Sequence, residues 1–190
     1  MRFGIGILLL AGVWLVGGCS LKNSDSQTPY SLSYLEQGVT KTCLPARTIG
    51  VNAVMEALEL ERHEIRYVRN GIVEYHRTQR WVSTPAVMFQ ELLIRALSDA
   101  CLEIVPPPIT SVLPHTLEST ILNFEVRIDH KGAAHALAKV AFGFEGEGAY
   151  SWVFTKKEKL NSLNIHEVTS AMNSAMNGVI AELKSALEGL

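Results

Sequence analysis

A strict alternation of apolar and polar residues between positions 122 and 129 predicts that the middle of the chain belongs to a β-sheet. Successive side chains of a strand point to opposite faces, so this period of two predicts a strand with one buried and one polar face. The period returns after a turn at Lys131-Gly132, and Glu145 to Gly148 then turns the chain into a strand from Tyr150 to Thr155. The residues predicted to face the core are Leu122, Phe124, Val126 and Ile128 in the first strand, and Ala136, Ala138, Val140, Phe142 and Phe144 in the second.

A hairpin is predicted earlier in the chain, where Asn70-Gly71 separates two β patterns, Glu64 to Arg69 and Ile72 to His76. This dipeptide tolerates the positive φ angles that a type I′ turn requires. Weaker strand patterns cover Tyr30 to Glu36 and Thr48 to Val54. Three prolines follow Leu102 to Val105, so that segment is at most a short edge strand.

Two helices are predicted. The first begins after Thr84, a capping residue, with Pro85 at the first helical position, where its missing N–H costs nothing. The second begins where Asn164 and Glu167 have the spacing of a capping box. Both have an apolar stripe at helical spacing. The stripes comprise Met88, Phe89, Leu92, Leu93, Ala96, Leu97 and Ala100 in the first helix, and Ile165, Val168, Met172, Ala175, Met176, Val179, Ile180, Leu183 and Leu187 in the second.

Together these elements predict the α+β class, because two amphipathic helices need one apolar sheet face to cover. We expect a mainly antiparallel sheet with both helices packed on one face. The chain of 190 residues has no internal repeat and suits one compact domain after any leader is removed.

The N-terminus contains an unbroken apolar run from Phe3 to Val16, shorter than a membrane span, which leads into Val16-Gly17-Gly18-Cys19. These residues resemble a bacterial lipobox. They predict a signal peptide over 1–18, lipidation of Cys19, a polar tether over 19–29 and a domain over 30–190. The alternative is a short uncleaved membrane anchor in which Cys19 is incidental.

Charge and cysteine content limit the partners and the compartment. Seventeen Lys and Arg against 19 Asp and Glu leave no basic excess, which argues against nucleic acid as a partner. Export implies an oxidising, extracytoplasmic setting. Cys43 and Cys101 either form a disulfide or remain unpaired with Cys101 buried, and the sequence leaves both alternatives open.

No catalytic or metal-binding pattern stands out, and we predict a protein that is not an enzyme and needs no cofactor. His166-Glu167 begins like a metalloprotease helix, but Ser170 stands where the second histidine would be needed. Arg80 and Trp81 are of residue types that often anchor protein interfaces, so they form a candidate partner surface. The alternative is that the Trp81 ring packs over the N-terminal end of the first helix.

The order of these elements resembles the ABC-type transport auxiliary lipoprotein family, which includes paraquat-inducible protein C. The resemblance extends over about residues 30 to 188 and is carried by local strings, none of which is a catalytic signature. They are Ile65 to Tyr75, Arg80-Trp81, Pro85 to Leu97, Phe124-Glu125, and Ala171, Ala175, Leu183 and Leu187 of the closing helix.

The resemblance implies a lipid-anchored accessory protein at the periplasmic face of the outer membrane, and Ser20 after the lipidated cysteine also points to that membrane. Such a protein would be a non-enzymatic adaptor. It would dock on the mammalian-cell-entry or substrate-binding component of an ABC transporter for lipids or apolar compounds. Two alternatives are a periplasmic lipid-binding carrier and a structural envelope lipoprotein without a transporter. A homo-oligomer is compatible with each of the three.

Overall fold

A computed structural model describes residues 29–35, 47–100 and 102–190. The described residues form a mixed nine-stranded sheet and two α-helices, which confirms the α+β class. The strands are β1 (Pro29–Tyr30), β2 (Arg47–Val51), β3 (Met55–Glu56), β4 (Glu64–Arg69), β5 (Ile72–Trp81), β6 (Leu102–Val105), β7 (Thr116–Ile128), β8 (Ala134–Glu145) and β9 (Ala149–Leu160), and the helices are α1 (Pro85–Ser98) and α2 (Ile165–Glu188).

Strand β7 organises the sheet. On one side it pairs along its length with β8, which pairs in turn with β9, and these two longest ladders are antiparallel. On its other side the short strands β2, β3 and β4 each pair with β7 in parallel. Outside these, β6 pairs with β2 and β5 pairs with β4, and β1 joins β5.

The predicted hairpin is confirmed as β4 and β5. Asn70 and Gly71 have φ angles of 51° and 81°, the left-handed values that this turn needs. The second strand of the hairpin runs to Trp81, five residues beyond the predicted end at His76.

Two N-terminal strands are shorter than predicted. Only Pro29 and Tyr30 pair with β5, and residues 31–35 are not in a strand because α2 side chains bind their backbone. β2 ends at Val51, since the Val54 N–H donates to the side chain of Gln90 instead of to a neighbouring strand.

The predicted alternation of buried and exposed residues holds only in the second half of β7. A β-bulge between Ile121 and Asn123 shifts the register by one residue, so that Leu122 is 37% exposed and Ile121 is fully buried. The prediction that Leu122 faces the core is therefore wrong. Phe124, Val126 and Ile128 face the core as predicted, and so do all five predicted residues of β8.

Both helices begin where predicted, with different capping partners. The Thr84 side chain makes no capping hydrogen bond; instead Glu56 of β3 accepts from the Ala86 N–H at 2.9 Å. At α2, Asn164 caps as predicted and accepts from the His166 N–H at 2.9 Å. Glu167 accepts from the Asn161 N–H rather than from Asn164, so the capping box is only half formed.

The core lies between the sheet and the helices. Both helices contact β7 and each other, which places them on the same face of the sheet, as predicted. Their apolar stripes are buried there against the inward residues of β7 and β8, and this burial of apolar surface supplies most of the folding free energy.

Candidate functional site

The Arg80–Trp81 pair does not form the predicted partner surface. Trp81 is 1% exposed, and its ring packs against Phe124 with centroids 5.3 Å apart. Its backbone N–H donates to the His63 carbonyl at 2.6 Å, and β1 pairs alongside it. Only Arg80 of the pair is exposed, and the Trp81 side chain is part of the core.

The three cysteines, Cys19, Cys43 and Cys101, lie outside the described residues. Lipidation of Cys19 and the pairing of Cys43 with Cys101 therefore stay predictions.

The free edge of β9 is the clearest surface for a partner. β9 pairs with β8 along 12 residues, and no strand of the described chain lies on its other side. Proteins commonly protect such edges with charged side chains, above all lysine. Lys156, Lys157 and Lys159 protect the second half in this way, whereas Ala149 to Thr155 carries no charge. We call residues 149–155 the free half of β9.

Aromatic side chains line the free half on the helix side of the sheet. Tyr150 and Trp152 stack with centroids 5.8 Å apart and an angle of 5° between rings, and Trp152 stacks on Phe154 at 6.5 Å. Tyr150 is 42% exposed, and the other two rings are partly exposed. Tyrosine and tryptophan are enriched in protein interfaces. On the opposite face Val153 is 53% exposed.

A surface groove of about 420 Å³ continues from the second half of β9 onto α2. Its walls include Tyr34, Lys156, Glu158, Asn177 and Lys184. Lys156 crosses to α2 and pairs with Glu182 at 2.6 Å. Apolar side chains, among them Leu35 and Ile180, complete the lining, so the groove combines apolar and charged walls. It opens beside the segment that leads in from the N-terminus.

The polar face of the sheet buries a carboxylate, Glu125, which is 1% exposed. Arg127 donates to its Oε1 at 2.7 Å, and Arg66 Nε lies 3.4 Å from its Oε2 without hydrogen-bond geometry. Arg66 also pairs with Glu59 at 2.7 Å. Nearby, burial together with Lys157 and Arg127 lowers the pKa of His135, so this ring is neutral at pH 7.

Among residues 29–35, 47–100 and 102–190, no group of three His, Cys, Asp or Glu side chains is placed to hold a metal ion. Within the same ranges, neither helix is long and apolar enough to cross a membrane.

The free half of β9 was missed at the level of sequence, although a signal for it is present. Aromatic residues at every second position, followed by a lysine-rich stretch, are typical of a strand with one unprotected part. Which strand lies at the edge of the sheet depends on pairing between distant segments. The period of two within one strand does not determine this position.

The solved structures that share the fold include the following two. One is an uncharacterized protein, 16% identical, with a TM-score of 0.69 over 85% of this chain and 99% of that chain. The other is protein XCC0632 from Xanthomonas campestris, described as a member of family DUF330; it is 17% identical, with a TM-score of 0.67 over 82% of this chain and 92% of that chain. At these identities the likeness shows the fold alone. No model of a protein family and no curated protein matches the sequence.

Proposed function

We propose that this chain is a lipid-anchored, non-enzymatic adaptor at the periplasmic face of the outer membrane. In this role the acyl chains on Cys19 hold the domain at the membrane, and the free half of β9 docks a component of an ABC or mammalian-cell-entry type transporter for lipids or apolar compounds. The observation that carries the proposal is an unprotected, aromatic-lined strand edge in a domain that follows a lipobox.

Strand addition at a sheet edge explains how a partner would bind. An extended segment of the partner would take hydrogen bonds from the backbone of β9, and its alternate side chains would meet Tyr150, Trp152 and Phe154. The lysines from Lys156 onward would set the register, because a partner strand that ran past them would meet three closely spaced positive charges.

The anchor is tested by changing Cys19→Ala and fractionating the cells. We expect the parent protein in the outer membrane and the variant outside it, because two or three acyl chains bind a membrane almost irreversibly. Ser20→Ala is the matched control and should remain at the membrane. If the Cys19→Ala protein still fractionated with the outer membrane, a lipid on Cys19 would not be what anchors the chain.

The docking edge is tested by changing Val153→Lys, which extends the lysine protection into the free half. We expect a transporter component to co-purify with the parent and to be lost from this variant, because a lysine on an edge strand opposes the addition of another strand. Val112→Lys is the matched control, because Val112 is fully exposed in the loop between β6 and β7. Equal recovery with both variants would rule out the edge as the docking site.

The carrier alternative is less well supported. The 420 Å³ groove is large enough for part of a ligand, but it lies open at the surface and would not enclose an acyl chain. Native mass spectrometry of protein purified from cells decides this point, since a bound phospholipid in stoichiometric amount would favour a carrier.

A further inference from the structure

A second surface lies on the polar face of the sheet, over the second half of β9. The register of β7, β8 and β9 brings basic residues from all three strands together. Arg127 lies opposite His135, which lies opposite Lys159. These three residues form one row across the strands. The next row, two residues along, consists of Glu125, Leu137 and Lys157, and the third consists of Asn123, Lys139 and Thr155. The basic patch consists of Arg127, His135, Lys139, Lys157 and Lys159.

The strand geometry makes this patch compact. Opposite residues on neighbouring strands have Cβ atoms about 5 Å apart, and rows two residues apart are separated by about 7 Å. The five side chains therefore share an area of roughly 10 by 14 Å. Arg127, Lys157 and Lys159 are exposed, and His135 and Lys139 are half-buried.

The positive charge of the patch is not neutralised within the protein. Glu125 and Glu59 are balanced by Arg66 and Arg127, with which they form ion pairs. Within the described residues, Lys139, Lys157 and Lys159 form no ion pair. Asp129 follows the end of β7, two residues beyond Arg127, and its Oδ1 accepts the N–H groups of Lys131 and Ala133. The three lysines and Asp129 together leave a net of two positive charges on this face of a chain whose formal net charge is −2.

Lys139 is the diagonal neighbour of Lys157 on the adjacent strand, and Lys159 lies two residues further along. These like charges repel one another, and an anionic surface laid over them would relieve the repulsion. We propose that the basic patch lies against anionic phospholipid headgroups of the membrane that anchors the chain. The proposal rests on the lipid anchor proposed above and adds an orientation to it: the polar sheet face turns to the membrane while the free half of β9 points along the plane of the sheet. Both surfaces can then be occupied together.

The position of the first described residues allows this arrangement. The centre of the patch, on β8, is four strand spacings from β1, which is about 19 Å. The ten residues from Cys19 to Thr28 span at most about 35 Å when extended. The anchor and the patch can therefore meet the same membrane surface.

The test uses the chain from residue 19 onward with Cys19→Ala, which contains every described residue and has no acyl chain. Its sedimentation is measured with vesicles of phosphatidylcholine alone and with vesicles that contain about one-third phosphatidylglycerol. We expect binding to the anionic vesicles at least tenfold tighter, on the order of fivefold for each contacting lysine, and weakened by added salt.

The triple variant Lys139→Gln, Lys157→Gln, Lys159→Gln should bind both vesicles equally. The control variant Arg69→Gln, Arg77→Gln, Arg95→Gln loses the same charge from exposed sites outside the patch and should keep the preference. Circular dichroism checks that both fold. In addition, an anionic surface over the patch should raise the pKa of His135, which NMR of the ring protons records.

Equal binding of the parent to both vesicles, or full anionic binding by the triple lysine variant, overturns the proposal and makes an acidic protein surface the better candidate occupant. Because this chain carries no lipid and Val153 is unchanged, such a failure is distinct from a failure of the anchor or of the docking edge. Those two are decided by Cys19→Ala and Val153→Lys.

Discussion

The backbone N–H of Ser33 donates to the Oδ1 atom of Asn173 at 2.8 Å. One helical turn later, Asn177 repeats the arrangement, accepting from the Leu35 N–H at 3.1 Å and donating to the Ser33 carbonyl at 3.0 Å. Two asparagines spaced i, i+4 thus bind the extended segment as a neighbouring strand would. This contact fixes the chain against α2 at the point where the domain begins.

The first prediction is that the double change Asn173→Ala, Asn177→Ala releases residues 31–35 without unfolding the domain. These hydrogen bonds are at the surface, so the free energy of unfolding should fall by only about 1–2 kcal/mol. The amides of Ser33 and Leu35 should exchange with solvent at least tenfold faster, as hydrogen-exchange NMR measures. Ser170→Ala, an exposed change on the same helix, is the control. Unchanged exchange in the double variant would contradict the role of the asparagines.

The second prediction concerns Glu56, whose carboxylate accepts from the Ala86 N–H at the start of α1. Glu56→Ala should lower the free energy of unfolding by about 1 kcal/mol, the usual effect of losing an N-terminal cap. Glu56→Gln keeps an oxygen acceptor there and should be less destabilising at pH 7. Chemical denaturation of both variants measures the difference.

Glu56 should also give the parent a distinctive dependence on pH. Burial raises the pKa of this carboxyl above 4.5, outweighing the hydrogen bond from Ala86. The folded state therefore holds the proton more strongly. The stability that this proton adds is complete below pH 4.5 and lost as the pH rises through the raised pKa, whereas the hydrogen bond to Ala86 does not need the proton. The Glu56→Gln variant should lack this component. The same pH profile in both proteins would show that another group is responsible.

Local sequence patterns predicted the helices and strands well, but they predicted poorly how distant strands and helices contact one another. Asn70-Gly71, the Pro85 start and the helical stripes depend on neighbours in sequence, and each is where the sequence placed it. The bulge at Leu122, the short β1 and the capping by Glu56 depend on contacts with distant segments. A period of two also remains apparent when a bulge moves the buried positions by one residue.

The candidate site was predicted less well for the same reason. Tryptophan is a residue type common in interfaces, yet the strand that contains Trp81 is paired with β1 and the Trp81 ring packs against Phe124. The free half of β9 has comparable residues in an exposed setting, because β9 is at the edge of the sheet. Residue type alone does not distinguish these two environments.

The third prediction tests the bulge with two neighbouring residues. Ile121→Ala should lower the free energy of unfolding by about 2–5 kcal/mol, because Ile121 is fully buried and its removal leaves a cavity. Leu122→Ala should cost within about 0.5 kcal/mol, as is usual at an exposed position. Denaturant unfolding of the pair measures both. If the costs were reversed, the strict alternation would be correct and the bulge would not exist.

The fourth prediction concerns Glu125, buried between Arg66 and Arg127. Glu125→Ala should destabilise the protein by about 3–5 kcal/mol, because it leaves Arg66, whose side chain is only 12% exposed, without its buried partner. Arg127→Ala should cost about 1–3 kcal/mol, because it removes the hydrogen bond that the buried Glu125 carboxylate accepts, although Arg127 itself is 48% exposed.

The double variant Glu125→Leu, Arg66→Met distinguishes the contribution of the ion pair to stability from the contribution of the packing around it. Replacing both charges by apolar side chains removes the burial cost of each, so the double change should cost less than the sum of the two single changes. Urea denaturation of the four proteins in this cycle gives the coupling energy, for which we expect about 1–3 kcal/mol. A coupling near zero would mean that Glu125 is held by Arg127 and Asn123 alone, and that Arg66 is positioned by Glu59.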